Sequence, residues 1–422
     1  MTNSAATNTK GAAASPAAPP LPKGWRWARL GEVCALVAGT TPDSSRTEYW
    51  NGEIVWVTPT DLGRLTSPRI TTSGRRISRQ GFESCNLSLV PPGAVVLSSR
   101  APIGHLGVAA VSLCTNQGCK SFVPGREVDS GFLYYALRLS VSRLQRLGSG
   151  ATFAEVSKSA LAQFEIPLPP LAEQKQIATI LEEQLAAVER ARAAAEGRLE
   201  AAKALPGASL RSVFDSPDAK LWPRLALGDL LAAPLKTGIS KTGSAQSERH
   251  CLTLSAVRNG ELDLTAKKGV DVTEQEAAGN WVVPGVLYVV RGNGNINLVG
   301  RGALAPPTVS PPVLYPDLLI AVRVKPDVVD TEYLRWVWDC SDIRRQVEQK
   351  ARTAAGIYKI NQRNLETVIV PFPDMAMQQR IAAILKGEFA EAQRARAAAE
   401  EQLEAVNALP AALLRRAFNG EI

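Results

Sequence analysis

Two fragments of the sequence have residue types that could cut a phosphodiester. Pro326-Asp327 followed by Glu348-x-Lys350 offers two carboxylates that could hold Mg2+ and a lysine that could position the attacking water. Both fragments are common by chance. Glu348 and Lys350 sit in the polar, helical-looking run RRQVEQKAR rather than on a buried strand, and the first half of the chain has no counterpart. His105, in APIGHLG, could carry a proton, but no histidine matches it in the second half, and a loop or buried histidine accounts for it. The six cysteines (34, 85, 114, 119, 251 and 340) contain no C-x-x-C, and with only His105 and His250 beside them they do not read as a zinc site. They read instead as small buried residues of a reducing compartment. There is no G-x-x-x-x-G-K-[ST] phosphate loop, no G-x-G-x-x-G opening a helix and no G-x-S-x-G elbow, and GNGNIN (292–297) reads as a turn. No catalytic or metal-binding residue is assigned.

The chain does carry contact chemistry for DNA. Arg75, Arg76 and Arg79 cluster in SGRRISR, and Arg100 ends a strand. In the second half Arg291 is read as standing where Arg100 stands, followed by Asn293, Asn295 and Asn297. Arginine can bond bidentately to guanine and asparagine to adenine on the major-groove edge. Lys236 and Lys241, each in a KTG triplet, and Lys267-Lys268 suit phosphate contacts, which fix register. Taken singly, each of these is an ordinary surface charge.

Charge becomes informative when divided along the 422 residues, whose net charge is +8. Residues 1–22 form a Pro- and Ala-rich leader read as disordered. Segment 23–166 holds 16 basic and 10 acidic residues, segment 220–370 holds 19 and 15, and the stretches 167–219 and 371–422 are slightly acidic. Two basic blocks are thus separated and followed by near-neutral segments, a distribution that attracts polyanions. A hydrophobic content of 45% with 21% charged residues describes an ordinary globular chain. No apolar run approaches a membrane span and no signal peptide opens the chain, so the expected location is cytoplasmic.

The strongest signal is an internal repeat. IPLPPLAEQKQIATILEEQLAAVERARAAAEGRLEAAKALPGASLRSVF (166–214) lies over VPFPDMAMQQRIAAILKGEFAEAQRARAAAEEQLEAVNALPAALLRRAF (370–418) at a constant offset of 204, without a gap. Trp25 with LGEV (30–33) matches Trp222 with LGDL (227–230), and PPGAVVLSSR (91–100) is similar to VPGVLYVVR (283–291). Apolar positions Ile177, Leu181, Leu185, Val188, Ala191, Ala195, Leu199, Ala202 and Leu205 recur every 3.5 residues on average, the coiled-coil period. The second copy repeats them from Ile381, Leu385 and Phe389 to Leu409. Two equal seams in one chain most simply pair with each other, and Pro206 and Pro410 are expected to break or kink the helices near their ends. EIVWVTPTDL (53–62), AVVLSSR (94–100) and VLYVVRG (286–292) read as strands, while 132–147 and 331–351 have helical spacing. The residues alone leave three readings open: a DNA-reading protein, a nuclease or methyltransferase, and a coiled-coil scaffold whose basic blocks bind something else.

GSGATFAEVSKSALAQFEIPLPPLAEQKQIATIL (148–181), AGTTPDSSRTEYWNGEIVWVTPTDLG (38–63), LSSRAPIGHLGVA (97–109) and TNQGCKSFVP (115–124) resemble motifs of the specificity (S) subunits of type I restriction–modification systems. The second half keeps YKINQRNLETVIVPFP (358–373) and QQRIAAIL (378–385) but has no clear GTTP or NQG equivalent. The resemblance implies an α+β chain of two pseudo-twofold-related target recognition domains, 23–166 and 220–370, joined by two long antiparallel coiled-coil helices within 167–219 and 371–422. It implies a non-catalytic subunit whose domains each read one half of a bipartite site in double-stranded DNA. The helices would set the unread spacer and dock two methyltransferase subunits, with restriction subunits where present. S-adenosylmethionine, ATP and Mg2+ would be held by those partners, with no cofactor in this chain. Thr40, Thr41, Thr58, Thr60, Lys120, Lys158, Arg258 and Lys359 complete the candidate DNA contacts. Gln174, Ile177, Leu181, Gln378, Ile381 and Leu385 are the candidate docking positions on the helices.

Overall fold

The computed structural model describes residues 21–149, 154–243, 247–354 and 356–422; the expected leader lies outside them except for Leu21 and Pro22. The chain divides into two compact units, one formed by residues up to 194 together with 403–422 and the other by 195–402. Each unit therefore contains one basic block and a stretch of both long helices, so the helical segments do not stand apart as modules of their own.

In the first unit a five-stranded sheet runs in the order Cys34–Ala38, Cys119–Pro124, Val95–Ser98, Leu106–Ala109, Arg69–Ile70, beside a three-stranded sheet of Arg75–Ile77, Trp50–Val57 and Leu113–Thr115. In the second, a six-stranded sheet is centred on Leu287–Val290 and Gly302–Leu304. The expected strand at 53–62 ends at Val57, because Thr58 caps a short helix, Pro59–Gly63, with proline at its first position. Both other strands and both helical stretches form, the latter split at Ser140 and at Asp339-Cys340.

The repeat is built in three matching devices. Each block is closed by an antiparallel strand pair between its beginning and its end, Arg26–Arg29 with Glu165–Leu168 and Arg224–Ala226 with Ile369–Pro371. Next, each long helix sends a fully buried glutamine into its block. Gln174 accepts from the Asp129 N–H (2.9 Å) and donates to the carbonyls of Glu127 (2.8 Å) and Pro169 (2.9 Å). Gln378 does the same with the Asp330 N–H (2.9 Å), Val328 O (3.3 Å) and Pro373 O (2.9 Å). The aspartates at these two joints cap the helices Ser130–Leu139 and Thr331–Trp338. Finally, each core receives the phenylalanine that ends a long helix. Phe214 lies edge-on to Trp222 at 6.4 Å and near Tyr333 at 6.1 Å; Phe418 lies edge-on to Trp25 at 6.5 Å and near Phe132 at 5.1 Å. The first joint links residues close in sequence; the second links the last helix to the start of the first block.

The central helix, Leu171–Phe214, and the distal helix, Met375–Phe418, each run 44 residues, about 66 Å at 1.5 Å per residue. Neither Pro206 nor Pro410 breaks its helix, so of the expected break or kink the break does not occur. Proline removes one backbone bond, and the packing of Phe214 and Phe418 beyond it holds the final turns in place. In the second unit Arg198 bonds to Gln402 (3.1 Å) while Phe214 shares a core with Ile381 and Leu385, so the helices run antiparallel there. Arg198 and Gln402 are themselves equivalent positions of the repeat, as befits the centre of such a pair. The seam is narrower than expected: Ala195 and Ala202 are buried, but Ala191 and Ala395 are exposed, and Leu205 and Leu409 are 45% and 43% exposed. Among the described residues, no helix is long and apolar enough to cross a membrane.

Two stability predictions follow from these joints. Gln174→Ala removes all three hydrogen bonds of a fully buried side chain and should lower the unfolding free energy of the first unit by about 2–4 kcal/mol. Gln378→Ala should do likewise for the second, each followed by denaturant titration; a loss below about 0.5 kcal/mol would contradict the latch. Phe418→Ala, emptying a 7%-exposed site, should cost about 3 kcal/mol or more, whereas removal of Glu421 and Ile422 should cost far less.

Candidate nucleic-acid interface

In the first unit, two buried tryptophans organise the candidate contact surface. Trp50 and Trp56 meet edge-to-face at 5.0 Å, and their indole N–H groups donate to Asp43 O (3.2 Å) and Thr40 O (3.0 Å), fixing the GTTPD loop. That loop also meets the TNQG segment: the Thr40 N–H donates to Thr115 O, and Thr41 bonds to Gln117. A side chain at Gly39 would fall 2.0 Å from Asn116 O, which is why glycine opens the motif. Arg75 stacks on the same platform, with its guanidinium carbon 3.5 Å from the Trp50 ring centre. The structure thus brings Thr40, Thr41 and Arg75 together, with Arg76 next on the strand.

Four other candidates in this unit, Lys120, Thr58, Arg100 and Arg79, already have partners within the chain. Lys120 is buried, and its ammonium donates to Ser99 Oγ (3.2 Å), Gln117 O (2.9 Å) and Glu155 (3.1 Å), so its three N–H bonds are spent internally and it offers none to DNA. Thr58 is consumed as a helix cap, bonded both ways to Asp61. Arg100 lies 3.8 Å from the same Glu155, and Arg79 pairs with Glu83 at 3.0 Å while remaining 90% exposed. Thr60 and Lys158 are exposed on short helices. His105 is half-buried with Nδ1 3.3 Å from Pro59 O, a packing position.

Backbone pairing corrects the expected match between the halves. The Val156 N–H donates to Ser99 O and the Ile360 N–H to Arg291 O, so Arg291 corresponds to Ser99, and Arg100 to Gly292. Extending the 204 offset back past Ile166 also pairs Glu155 with Lys359. Glu155 is the residue that sequence reasoning missed, and that extension would have found it. At equivalent places in two equivalent hairpins, one block carries an acid bound to two cations and the other an exposed lysine.

In the second unit, Asn293 and Asn295 fold into successive Asx turns, their side-chain oxygens accepting from the N–H groups of Asn295 (2.9 Å) and Asn297 (3.0 Å). Bidentate adenine reading needs that oxygen as an acceptor, so both side chains are partly committed. Lys241 pairs with Glu276 at 2.8 Å; the hydrogen bond from Lys241 and the Thr273 N–H hold that carboxyl down to about 2. Lys236 donates to Gly279 O and Arg258 to Ser255 O, while Lys267 and Lys268 lie on the strand Lys267–Val270. Arg258 and Asn293 line a cleft of about 940 Å³ with Asn259, Leu298 and Arg301, closed on its other side by Lys203 and Leu210 of the central helix and Phe389 and Arg396 of the distal helix.

The six candidate docking residues are placed inside the chain. Gln174 and Gln378 are the latches above, and Ile177, Leu181, Ile381 and Leu385 are 0–4% exposed in the two main cores. None offers surface to a partner. Asp327 and Glu348 do not form a metal centre either: Glu348 pairs with Arg344 (3.4 Å), and no group of three His, Cys, Asp or Glu converges among the described residues.

Comparison with known proteins places these features. Residues 22–194 match the type I restriction modification DNA specificity domain. The MjaIX specificity subunit of Methanocaldococcus jannaschii is 36% identical across 38% of this chain and 38% of its own length. The EcoKI specificity subunit of Escherichia coli K12 is 24% identical across 95% of this chain and 90% of its own. Among solved structures, the HsdS subunit from Thermoanaerobacter tengcongensis superposes with a TM-score of 0.62 at 18% identity, covering 96% of this chain and 99% of that one. A chain from a type I R-M system solved for its complex assembly and conformational transition gives 0.70 at 20%, covering 96% and 100%. Residues 22–194 thus match the type I restriction modification DNA specificity domain, and along nearly its whole length the chain is similar to specificity subunits of type I restriction–modification systems.

Proposed function

We propose that the chain reads a bipartite sequence in double-stranded DNA, each block taking one half-site, and performs no catalysis itself. The observation that carries this reading is a duplicated frame beneath two different faces. Strand closure, glutamine latch and aromatic joint are repeated, whereas the exposed chemistry is not, as Glu155 against Lys359 illustrates. Two equal supports under unequal reading surfaces are what two unequal half-sites require.

In this reading the paired helices set the unread spacer, since a rigid antiparallel pair fixes distance and therefore helical phase along DNA. Two methyltransferase subunits dock on the helices' outward faces, where equivalent exposed leucines, Leu205 and Leu409, remain after the seams are filled. S-adenosylmethionine, and ATP with Mg2+ where restriction subunits join, are held by those partners. The site of action is the cytoplasm.

Two experiments test this. Binding of the methyltransferase complex to a duplex carrying its site should weaken linearly in log Kd against log salt, with a slope steeper than about 4 from several phosphate contacts; a flat response would leave the basic blocks without a DNA role. A four-residue insertion within 182–204 lengthens the helix by about 6 Å, comparable to one or two base-pair steps. It should change the unread gap by at least about one base pair and leave both half-sites intact. An unchanged gap in an active complex would remove the ruler.

A further inference from the structure

The arginines expected to face DNA in the first unit differ in what holds them. Arg79 is paired with Glu83 and Arg100 with Glu155, while among the described residues the Arg76 side chain is held only by a bond to Thr72 Oγ1 (3.4 Å). Arg75 has no carboxylate within 4.0 Å among the described residues. It lies over Trp50 at 3.5 Å and within 5.8 Å of Trp56, which stands opposite it on the neighbouring strand. Its main chain is also pinned, because Ser73 Oγ accepts from the Trp56 N–H (3.0 Å) and donates to Arg75 O (2.6 Å).

Stacking occupies only the face of a guanidinium. Its five N–H bonds lie in the plane and radiate from the edge, so an arginine flattened on an indole keeps its hydrogen-bonding fork intact and its charge unneutralised. The tryptophans are themselves immobile, being 8% and 3% exposed and bonded to the GTTPD loop, so little rotamer freedom is left to lose on binding. A held, unpaired, exposed fork fits the paired O6 and N7 acceptors on the major-groove edge of guanine; a mobile phosphate contact needs no such support.

We infer that Arg75 is a specificity-determining residue that reads one guanine of the first half-site, with Trp50 as its stacking platform. The inference rests on the reading of the chain as a DNA-specificity subunit. It is tested with the methyltransferase complex, after the wild-type methylated sequence has been mapped by long-read sequencing. Duplexes in which each guanine of the site is replaced in turn by 7-deazaguanine, which lacks the N7 acceptor, are then compared for binding. Wild type should lose several-fold at one guanine of one half-site, since removing N7 takes away one of the two acceptors of a contact worth roughly 5- to 150-fold in all. Arg75→Ala and Arg75→Met, neither of which has a donor there, should bind the natural site more weakly and be insensitive to deazaguanine at that same position, with sequence preference relaxed there and nowhere else.

Uniform weakening across all sequences would make Arg75 a phosphate contact and overturn the inference. So would retained sensitivity at every guanine in Arg75→Met, or a half-site without guanine on either strand. Wild-type complex that methylates no bipartite sequence would instead overturn the function proposed above. Should Arg75→Ala fail to fold, Arg75→Met and the deazaguanine series on wild type decide the matter alone.

Discussion

Two 44-residue helices with alanine-rich seams have too little apolar surface to hold together by themselves, and this constraint shapes the rest of the chain. Along the middle, where Ala195, Ala202, Ala392 and Ala399 face inward, the contact area per turn is small. The large side chains lie toward the ends: Ile177, Leu181 and Phe214 on one helix, Ile381, Leu385 and Phe418 on the other, each buried in a block rather than only in the seam. The helices are stabilised by what their ends enter. A recognition block, in turn, is completed by a helix end that follows the other block in sequence for the first unit and precedes its own for the second.

The buried glutamines extend the same dependence to polar groups. Gln174 and Gln378 each satisfy backbone groups at the joint where a block meets its helix, so helix placement and block folding are coupled through three hydrogen bonds that water cannot replace. With joints this demanding, the surface positions above them can differ freely. That separation between a shared support and a variable face is the property a sequence-reading subunit needs.

Much of this was legible in the sequence because the repeat is gap-free. The 204 offset locates both helices, both latches and both aromatic joints, and the charge partition locates the two blocks. What was not legible depends on long-range neighbours. Lys120 looked available until Glu155, 35 residues away, came to lie beside it. Arg291 was matched to Arg100 by residue type, whereas the shared Pro-Gly turn, with positive φ at Gly93 and Gly285, aligns it with Ser99. Pro206 and Pro410 were expected to break or kink the helices near their ends, and neither breaks its helix, which packing carries through to the final phenylalanine. Gln174 and Gln378, polar at positions that recur in both halves, looked like surface for a partner; their burial follows from carbonyls and N–H groups that only the folded block presents.

The central claim is that one chain reads two separate half-sites. Mapping every methylated base in a host lacking other methylation, after co-expression of this chain with its methyltransferase subunit, tests it most directly. The account predicts one sequence of two short specified elements separated by an unspecified gap of fixed length. A single continuous motif, or methylation that does not depend on this chain, would contradict it.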